Sequence, residues 1–396
     1  MIKINKFAIN LIVITALFLQ VAQCSKINFD IYHTTDEINL LLQQLEGNCE
    51  GYSLNLANND PDIYEVTLSS LDSENALKGL VIFGEHPREL ISPETGLNFV
   101  KSLCGQSQFG DYELTQKIRD YYDLKLVINA NPNSRRLVED GDYCKRENPN
   151  FVDINRNWGS HWEHIQDEER QVNSGEAPFS EVETQVLKKI ATEFSPNVFI
   201  SIHSGTLGLY TPYAYTNQKA ERNEKHMINI VNDIQKKYCK NCSVGAAGKE
   251  VGYLCPGTCL DYIYETLEAD YSFAFEIYSN ENEIHQALEG SNFLQIRSSN
   301  QRLRHTFKRN EQFRPQSCFL QAKYLFLKSI LSAIYLNNSK TRNQKSDSFS
   351  DMFLDSYQQC FLFFNPESHD DYDYVIDNWT KALYETLNHV TDNKTL

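Results

Sequence analysis

The heptapeptide Gly84-Glu85-His86-Pro87-Arg88-Glu89-Leu90 holds an imidazole and a carboxylate three residues apart, His86 and Glu89. Where a chain turns, two such groups can aim at one point, and both donor types suit zinc. Further candidates follow in order. Arg146 lies in Cys144-Lys145-Arg146-Glu147-Asn148, ahead of Asp153-Ile154-Asn155-Arg156-Asn157-Trp158. Then come Ile202-His203-Ser204, Val251-Gly252-Tyr253, and Glu276 within the apolar run Phe273-Ala274-Phe275-Glu276-Ile277. Two histidines and a glutamate (His86, His203 and Glu89) make up the protein ligands of an open catalytic zinc site, with a fourth position for water. A carboxylate in a run as apolar as that around Glu276 is costly to bury unless it has a task. Beside zinc, that task is to take a proton from water and return it to a leaving amine. Arginines such as Arg146 and Arg156 suit two-point recognition of a carboxylate and stabilisation of an oxyanion.

Each of these residues also has a structural reading: a surface or core histidine, an ion-paired arginine, one tyrosine among many. The elements around them favour convergence. Apolar or alternating runs predict strands over Tyr64–Leu68, Leu80–Phe83, Leu124–Ile128, Asn197–Ile202 and Ser272–Tyr278. Helices are predicted over Thr34–Leu45, with a capping signal, and over Gly96–Leu103 and Ser180–Ile190. Strands alternating with helices imply an α/β layer with a parallel or mixed sheet, whose sites gather at the carboxyl ends of strands. Three of the predicted strands end in groups able to do chemistry: His86 with Glu89, Asn131-Pro132-Asn133, and His203. After residue 280 the composition shifts to Arg, Asn, Gln and Ser, with a short apolar helix over Ala322–Leu331. The tail from Cys360 regains a core-like pattern.

Composition narrows the function classes. The chain of 396 residues is 41% hydrophobic and 23% charged, ordinary for a globular protein. A net charge of −16 with no compensating Lys/Arg stripe argues against nucleic acid. Lys3 and Lys6 precede the apolar run Phe7–Leu19, with small residues after it, the layout of a signal peptide over 1–24 cleaved near Cys24–Ser25. The run is short for a membrane span, so no stable membrane anchor is expected. The expected destination is the medium or a secretory-pathway or lysosome-like lumen. Nine cysteines then remain, most of them to be paired, with one left over and no connectivity readable from sequence. Cys239-x-x-Cys242 reads as a structural disulfide. Sequons at Asn241, Asn337, Asn378 and Asn393 fit a secreted glycoprotein. His161, His164, His285 and His305 read as surface residues.

The ordered set His86-x-x-Glu89, Arg146, Asn155-Arg156-Asn157-Trp158, His203-Ser204, Tyr253 and Glu276 resembles the zinc metallocarboxypeptidases of the carboxypeptidase A type. The likeness covers about 32–280 and the tail from about 355. Val152–Trp158 and Phe273–Glu276 are its most diagnostic phrases. It implies one α/β domain over 30–396, with a central mixed, mostly parallel β-sheet flanked by helices and an insertion at about 281–352. It implies one Zn2+ ion on His86, Glu89 and His203, with Glu276 as general base and acid. Arg146 would polarise the scissile carbonyl and hold the oxyanion; Asn155 and Arg156 would clamp the substrate's terminal carboxylate. Tyr253 would close over the bound residue, and Asp153 would orient a ligating histidine.

Counted from Tyr253, Leu260 falls at the floor of the family's side-chain pocket; counted from His203, Ala214 falls on its wall. Members that prefer Lys or Arg carry an acid at one of these places. Two apolar residues imply a preference for apolar or aromatic C-terminal residues, each buried methylene adding about 1 kcal/mol. Cys255 and Cys259 bracket this loop and could be bridged to each other or elsewhere. There are departures too. Gly205 follows His203-Ser204 where many animal members carry tyrosine, and no long pro-segment fits between residue 25 and about Asp30. No additional β-sandwich follows the catalytic core. The partners implied are peptide or protein C-termini. Two other readings stay open. One is a catalytically inactive secreted peptide-binding homologue, against which Glu276 and all three ligands argue. The other is a related zinc amidase or endopeptidase, against which Asn155, Arg156 and Arg146 argue.

Overall fold

Thr34 and Glu37 start the first helix, α1 (Thr35–Leu45), by a reciprocal capping box, and Ile38, Leu42 and Leu45 bury its inner stripe. The computed structural model describes residues 31–50, 52–70, 76–167, 170–280 and 359–394. The signal peptide, the 281–352 segment with Ala322–Leu331, and His285, His305, Cys318 and Asn337 lie outside them, as does the side chain of Asn393.

After α1 come β1 (Ser53–Asn59), β2 (Ile63–Ser69), β3 (Leu77–Phe83), α2 (Ile91–Leu103), α3 (Tyr112–Tyr121), β4 (Tyr122–Val127) and α4 (Pro132–Glu139). A 3-10 turn at Ile154–Arg156 and a small ribbon, β5 (Gln166–Asp167) with β6 (Val172–Asn173), precede α5 (Val182–Phe194). The chain continues with β7 (Val198–His203), β8 (Thr206–Thr211), α6 (Glu224–Tyr238), β9 (Ser243–Ala246), α7 (Ala247–Glu250), α8 (Cys259–Glu265) and β10 (Tyr271–Tyr278). The long α9 (His369–Lys394) closes it.

Eight strands form one sheet in the order β1-β2-β4-β3-β7-β10-β8-β9. Four of its seven pairings are parallel (β4/β3, β3/β7, β7/β10, β8/β9) and three antiparallel, the mixed, mostly parallel sheet expected. Alternation along the central strands feeds two cores. Val81, Phe83, Ile200, Ile202, Phe273 and Phe275 face a core shared with α1, α2, α6 and α9. Leu80, Ile82 and Phe199 face the other, with Leu187, Ile190 and Phe194 of α5 and Ile263 of α8. Such buried side chains contribute about 1.5–3 kcal/mol each. The central strands are buried on both faces, so they read as continuous apolar runs. On the α5/α8 face, Ser201 and His203 then replace apolar residues at the carboxyl end of β7, and Glu276 does so on β10. There the packing gives way to chemistry.

Three disulfides cross-link the described residues: Cys49–Cys104, Cys144–Cys360 and Cys239–Cys242. Cys239–Cys242 is thus the structural bridge its spacing suggested. Cys255 and Cys259 are buried free thiols, so the loop they bracket carries no bridge. Asn241 is exposed between two bridged cysteines, whereas Asn378 lies within α9 and donates its amide to the Tyr238 carbonyl.

The Cys144–Cys360 bridge joins the loop before Arg146 to the tail, where Asn365 accepts the Ile91 N–H (3.1 Å) and donates to the Arg88 carbonyl (2.8 Å). The tail therefore caps the start of α2, which has no side-chain cap of its own. Cys144→Ser with Cys360→Ser is expected to lower unfolding free energy by about 2–5 kcal/mol. Denaturant titration would check this; an unchanged midpoint would mean that the bridge and the tail are not coupled to the core.

Candidate active site

Gly84 ends β3 at φ +70, and a Cβ there would lie 2.9 Å from the Pro93 side chain, so the turn that presents His86 requires glycine. Ser92 ties the turn to its neighbours, accepting the Gly84 N–H (3.2 Å) and donating to the Ile202 carbonyl (2.6 Å). His86 and Glu89 are thereby fixed against His203, the last residue of β7. Glu276 is the Cα partner of His203 on the adjacent strand.

His86 Nδ1 and His203 Nδ1 stand 3.2 Å apart. Glu89 bridges them, Oε1 at 2.8 Å from the first and Oε2 at 3.1 Å from the second. One ligand atom from each residue lies within 4.8 Å of the others, and all three residues are buried. Behind the cluster, His86 Nε2 meets Asp153 Oδ1 (3.1 Å), and His203 Nε2 meets Ser201 Oγ (2.7 Å) and Glu85 Oε2 (3.2 Å). In the tautomers that carry their protons on Nε2, two imidazole lone pairs and a carboxylate point at one place. Acceptors alone cannot satisfy one another, and a proton or a metal cation there reconciles them. Nitrogen, nitrogen and carboxylate oxygen are donors that zinc takes. Burial pushes the His203 pKa down, but Glu85 and Glu89 outweigh it and hold the value well above the ordinary one: the site favours positive charge.

Glu276 carries a buried Oε2 with no hydrogen-bond partner in the protein. Burial, then the Glu89 carboxylate, push its carboxyl up to about 7 against His203, His86 and Arg146. Arg146 is gripped by Asp153 Oδ2 through Nε and Nη2, both at 2.9 Å, and its Nη1 lies 3.5 Å from His86 Nδ1. Asp153 also accepts the Asn155 N–H (3.0 Å) at the start of the 3-10 turn, so one carboxylate places His86, Arg146 and the Asn155-Arg156 backbone. Burial raises the Asp153 pKa, but Arg146 and His86 overcome it and hold the group well below the carboxylate range. Arg156 is buried and donates to the Asn155 carbonyl (2.6 Å). The Asn155 side chain is partly committed: Oδ1 accepts the Cys259 N–H (3.0 Å) and Nδ2 sits 3.2 Å from His203 Nε2.

Tyr253 is 38% exposed, with the Arg170 guanidinium 5.1 Å from its ring centre, and lies within electrostatic reach of Arg146 and Arg156. It lines a surface cavity of about 590 Å3 with Asn217, Gly248, Lys249 and Leu254. Ala214 and Leu260 do meet, in a buried group with Tyr210, Ala247 and Cys255. The acid beside them, Asp261, is turned to the backbone, accepting the N–H groups of Ala214 (2.9 Å) and Tyr215 (3.0 Å). Tyr210, whose hydroxyl meets Ser243 Oγ (2.9 Å), adds an aromatic surface that no motif pointed to.

Gly205 also has its reason. It adopts φ +128, and a Cβ there would lie 2.5 Å from the Phe364 ring. Phe364 fills that space and lies under the Arg88 guanidinium (4.1 Å). Arg88, Glu85, Ser201 and Tyr210 were not singled out from sequence. A buried polar residue at a strand end was the available signal for Glu85 and Ser201. His161 and His164 lie at the surface, His161 paired with Glu265 (2.8 Å).

An α/β sheet with a His-Glu-His cluster at the carboxyl ends of its central strands has the build of a zinc hydrolase. The zinc carboxypeptidase family model matches residues 50–301, more than half of the chain, and the chain belongs to that family. Human carboxypeptidase O is 26% identical over 211 residues, 49% of this chain and 55% of that protein. Human carboxypeptidase B2 is 29% identical over 220 residues, 49% of each. The chain thus spans about half the length of the curated relatives it matches. Among solved structures, thrombin activatable fibrinolysis inhibitor aligns with a TM-score of 0.56 at 21% identity, covering 67% of this chain and 72% of that one. Carboxypeptidase A from Helicoverpa armigera aligns at 0.55 and 20%, covering 68% and 72%. These likenesses support the fold.

Proposed function

We propose that the chain is a zinc-dependent carboxypeptidase that releases single C-terminal residues, apolar or aromatic, from peptides or proteins. The observation that carries this is the convergence of His86 Nδ1, His203 Nδ1 and both Glu89 oxygens, with Glu276 the strand partner of His203. When bound, zinc would polarise the scissile carbonyl and acidify water. Glu276 accepts the proton of the attacking water and passes it to the leaving amine. Arg146, braced by Asp153, meets the charge developing on the carbonyl oxygen. Arg156, with the Asn155 side-chain amide, holds the substrate's terminal carboxylate, and Tyr253 closes over the bound residue. The side chain of that residue lies against Ala214, Leu260 and Tyr210. Three disulfides support a workplace in the secretory pathway or outside the cell. Among the described residues no helix is long and apolar enough to cross a membrane.

Peptides differing only in the last residue, assayed with and without a chelator, test the reading. Release of Phe and Leu is expected to exceed that of Arg and Asp, to stop with chelator and to return with added zinc. Faster release of Arg than Phe would overturn the pocket assignment. Release indifferent to chelation would overturn the metal, and no release from any peptide would leave a binding protein.

A further inference from the structure

Asp153 stands behind His86, and a second buried carboxylate stands behind His203. His203 Nε2 lies 2.7 Å from Ser201 Oγ and 3.2 Å from Glu85 Oε2, and Ser201 Oγ lies 2.7 Å from that same Glu85 oxygen. Asn155 Nδ2 also lies 3.2 Å from His203 Nε2, but two oxygens, Ser201 Oγ and Glu85 Oε2, face the same nitrogen, and a carboxylate can only accept. The carboxylate therefore puts the proton on Nε2, and the Asn155 amide is a close neighbour of that N–H with no bond to it. His203 Nε2–H donates to Ser201 Oγ, and the Ser201 hydroxyl donates to Glu85 Oε2. That chain fixes the tautomer that leaves the Nδ1 lone pair turned to Glu89 and His86.

The two carboxylates are not equivalent. Asp153 shares its charge with Arg146. Glu85 is 1% exposed, and His203 is its single ion-pair partner among the described residues. Its other close neighbours are the Ser201 hydroxyl and the Cys259 thiol (3.4 Å), while its Oε1 has no protein partner. A buried carboxylate so placed is expensive, and a glutamine would satisfy the Ser201 hydroxyl without the charge. What the charge adds is basicity at His203, through the imidazole, at the atom aimed into the cluster.

We propose that Glu85, acting through Ser201, is a positioning residue that sets how tightly His203 holds the metal. This rests on the reading that His86, Glu89 and His203 bind zinc. It concerns retention of the ion and adds no step to the hydrolysis. The charge on Glu85 reaches the imidazole undivided, while that on Asp153 is divided with an arginine.

The test is the Zn2+ affinity of the full chain, measured by competition with a chromogenic chelator, for wild type, Glu85→Gln and Ser201→Ala. Glu85→Gln is expected to weaken Zn2+ binding about 10- to 100-fold. The rise in its melting temperature on adding zinc should shrink relative to wild type. Ser201→Ala should weaken binding less, because the direct 3.2 Å contact stays. A purely structural Glu85 would instead lower melting temperature by the same amount with and without zinc and leave the affinity unchanged. Affinities of both variants within twofold of wild type would overturn the proposal and leave the zinc site standing. A wild-type chain that takes up no zinc would overturn both. Should Glu85→Gln fail to fold, Ser201→Ala decides alone, with wild-type affinity the overturning result.

Discussion

Glu276→Gln is expected to cut kcat by about two to four orders of magnitude, the range that a positioned general base and acid supplies. The zinc content of the purified chain should not change. Glutamine matches the shape of glutamate, and the buried Oε2 gives up no protein hydrogen bond. The loss would therefore fall on proton transfer. Since the interaction lost is made in the transition state, kcat and kcat/KM should fall together. The pH profile carries the same assignment. Burial and Glu89 push the Glu276 carboxyl up to about 7 in the protein alone. A divalent cation beside it favours the carboxylate and opposes that shift. Protonated Glu276 cannot accept a proton, so kcat/KM should fall as pH falls, with the acid limb of wild type below about 7. The glutamine variant should lose that limb. Retention of more than a tenth of the wild-type rate, or an unchanged acid limb in the variant, would show that another group takes the proton.

Much of this site was readable in advance because its motifs are local and follow apolar strands. His86 and His203 come at or just after the carboxyl ends of β3 and β7, and Glu276 interrupts β10. The strands missed were those whose residues do not announce them. The edge strand β1 reads Ser-Leu-Asn-Leu-Ala-Asn-Asn, largely exposed, and β9, at the other edge, is four small residues, Ser-Val-Gly-Ala. β8 carries Gly208 at its centre, over which the Tyr210 ring folds. Glu85 and Ser201 escaped for another reason. Each looks ordinary in its own segment, and their meaning lies in a 2.7 Å contact between residues 116 positions apart. The same holds for Asn365, whose cap on α2 joins positions 274 apart, and for the pairing of Cys144 with Cys360. Spacing finds chemistry carried by one turn of chain, and tertiary contact decides what supports it.

Arg156→Ala is expected to lower kcat/KM for peptides with a free C-terminus about 30- to 1,000-fold, the ~2–4 kcal/mol that truncating one member of a buried charge pair costs. The informative comparison is with the amidated peptide. If Arg156 holds the terminal carboxylate, wild type should discriminate strongly against the amide, and the variant should discriminate little. Removing the guanidinium and removing the substrate's charge abolish one interaction, so the two losses should not add. A structural arginine would give the opposite pattern. Arg156 is buried, its guanidinium is bonded to the Asn155 carbonyl, and its own carbonyl lies close against Gly257. Disturbing that loop would slow both peptides alike and leave their ratio intact. Full additivity would therefore remove Arg156 from the substrate and, with it, the argument that this cleft reads a free C-terminus. Undiminished wild-type cleavage of the amide would point instead to a zinc amidase or endopeptidase working through the same His86, Glu89, His203 and Glu276.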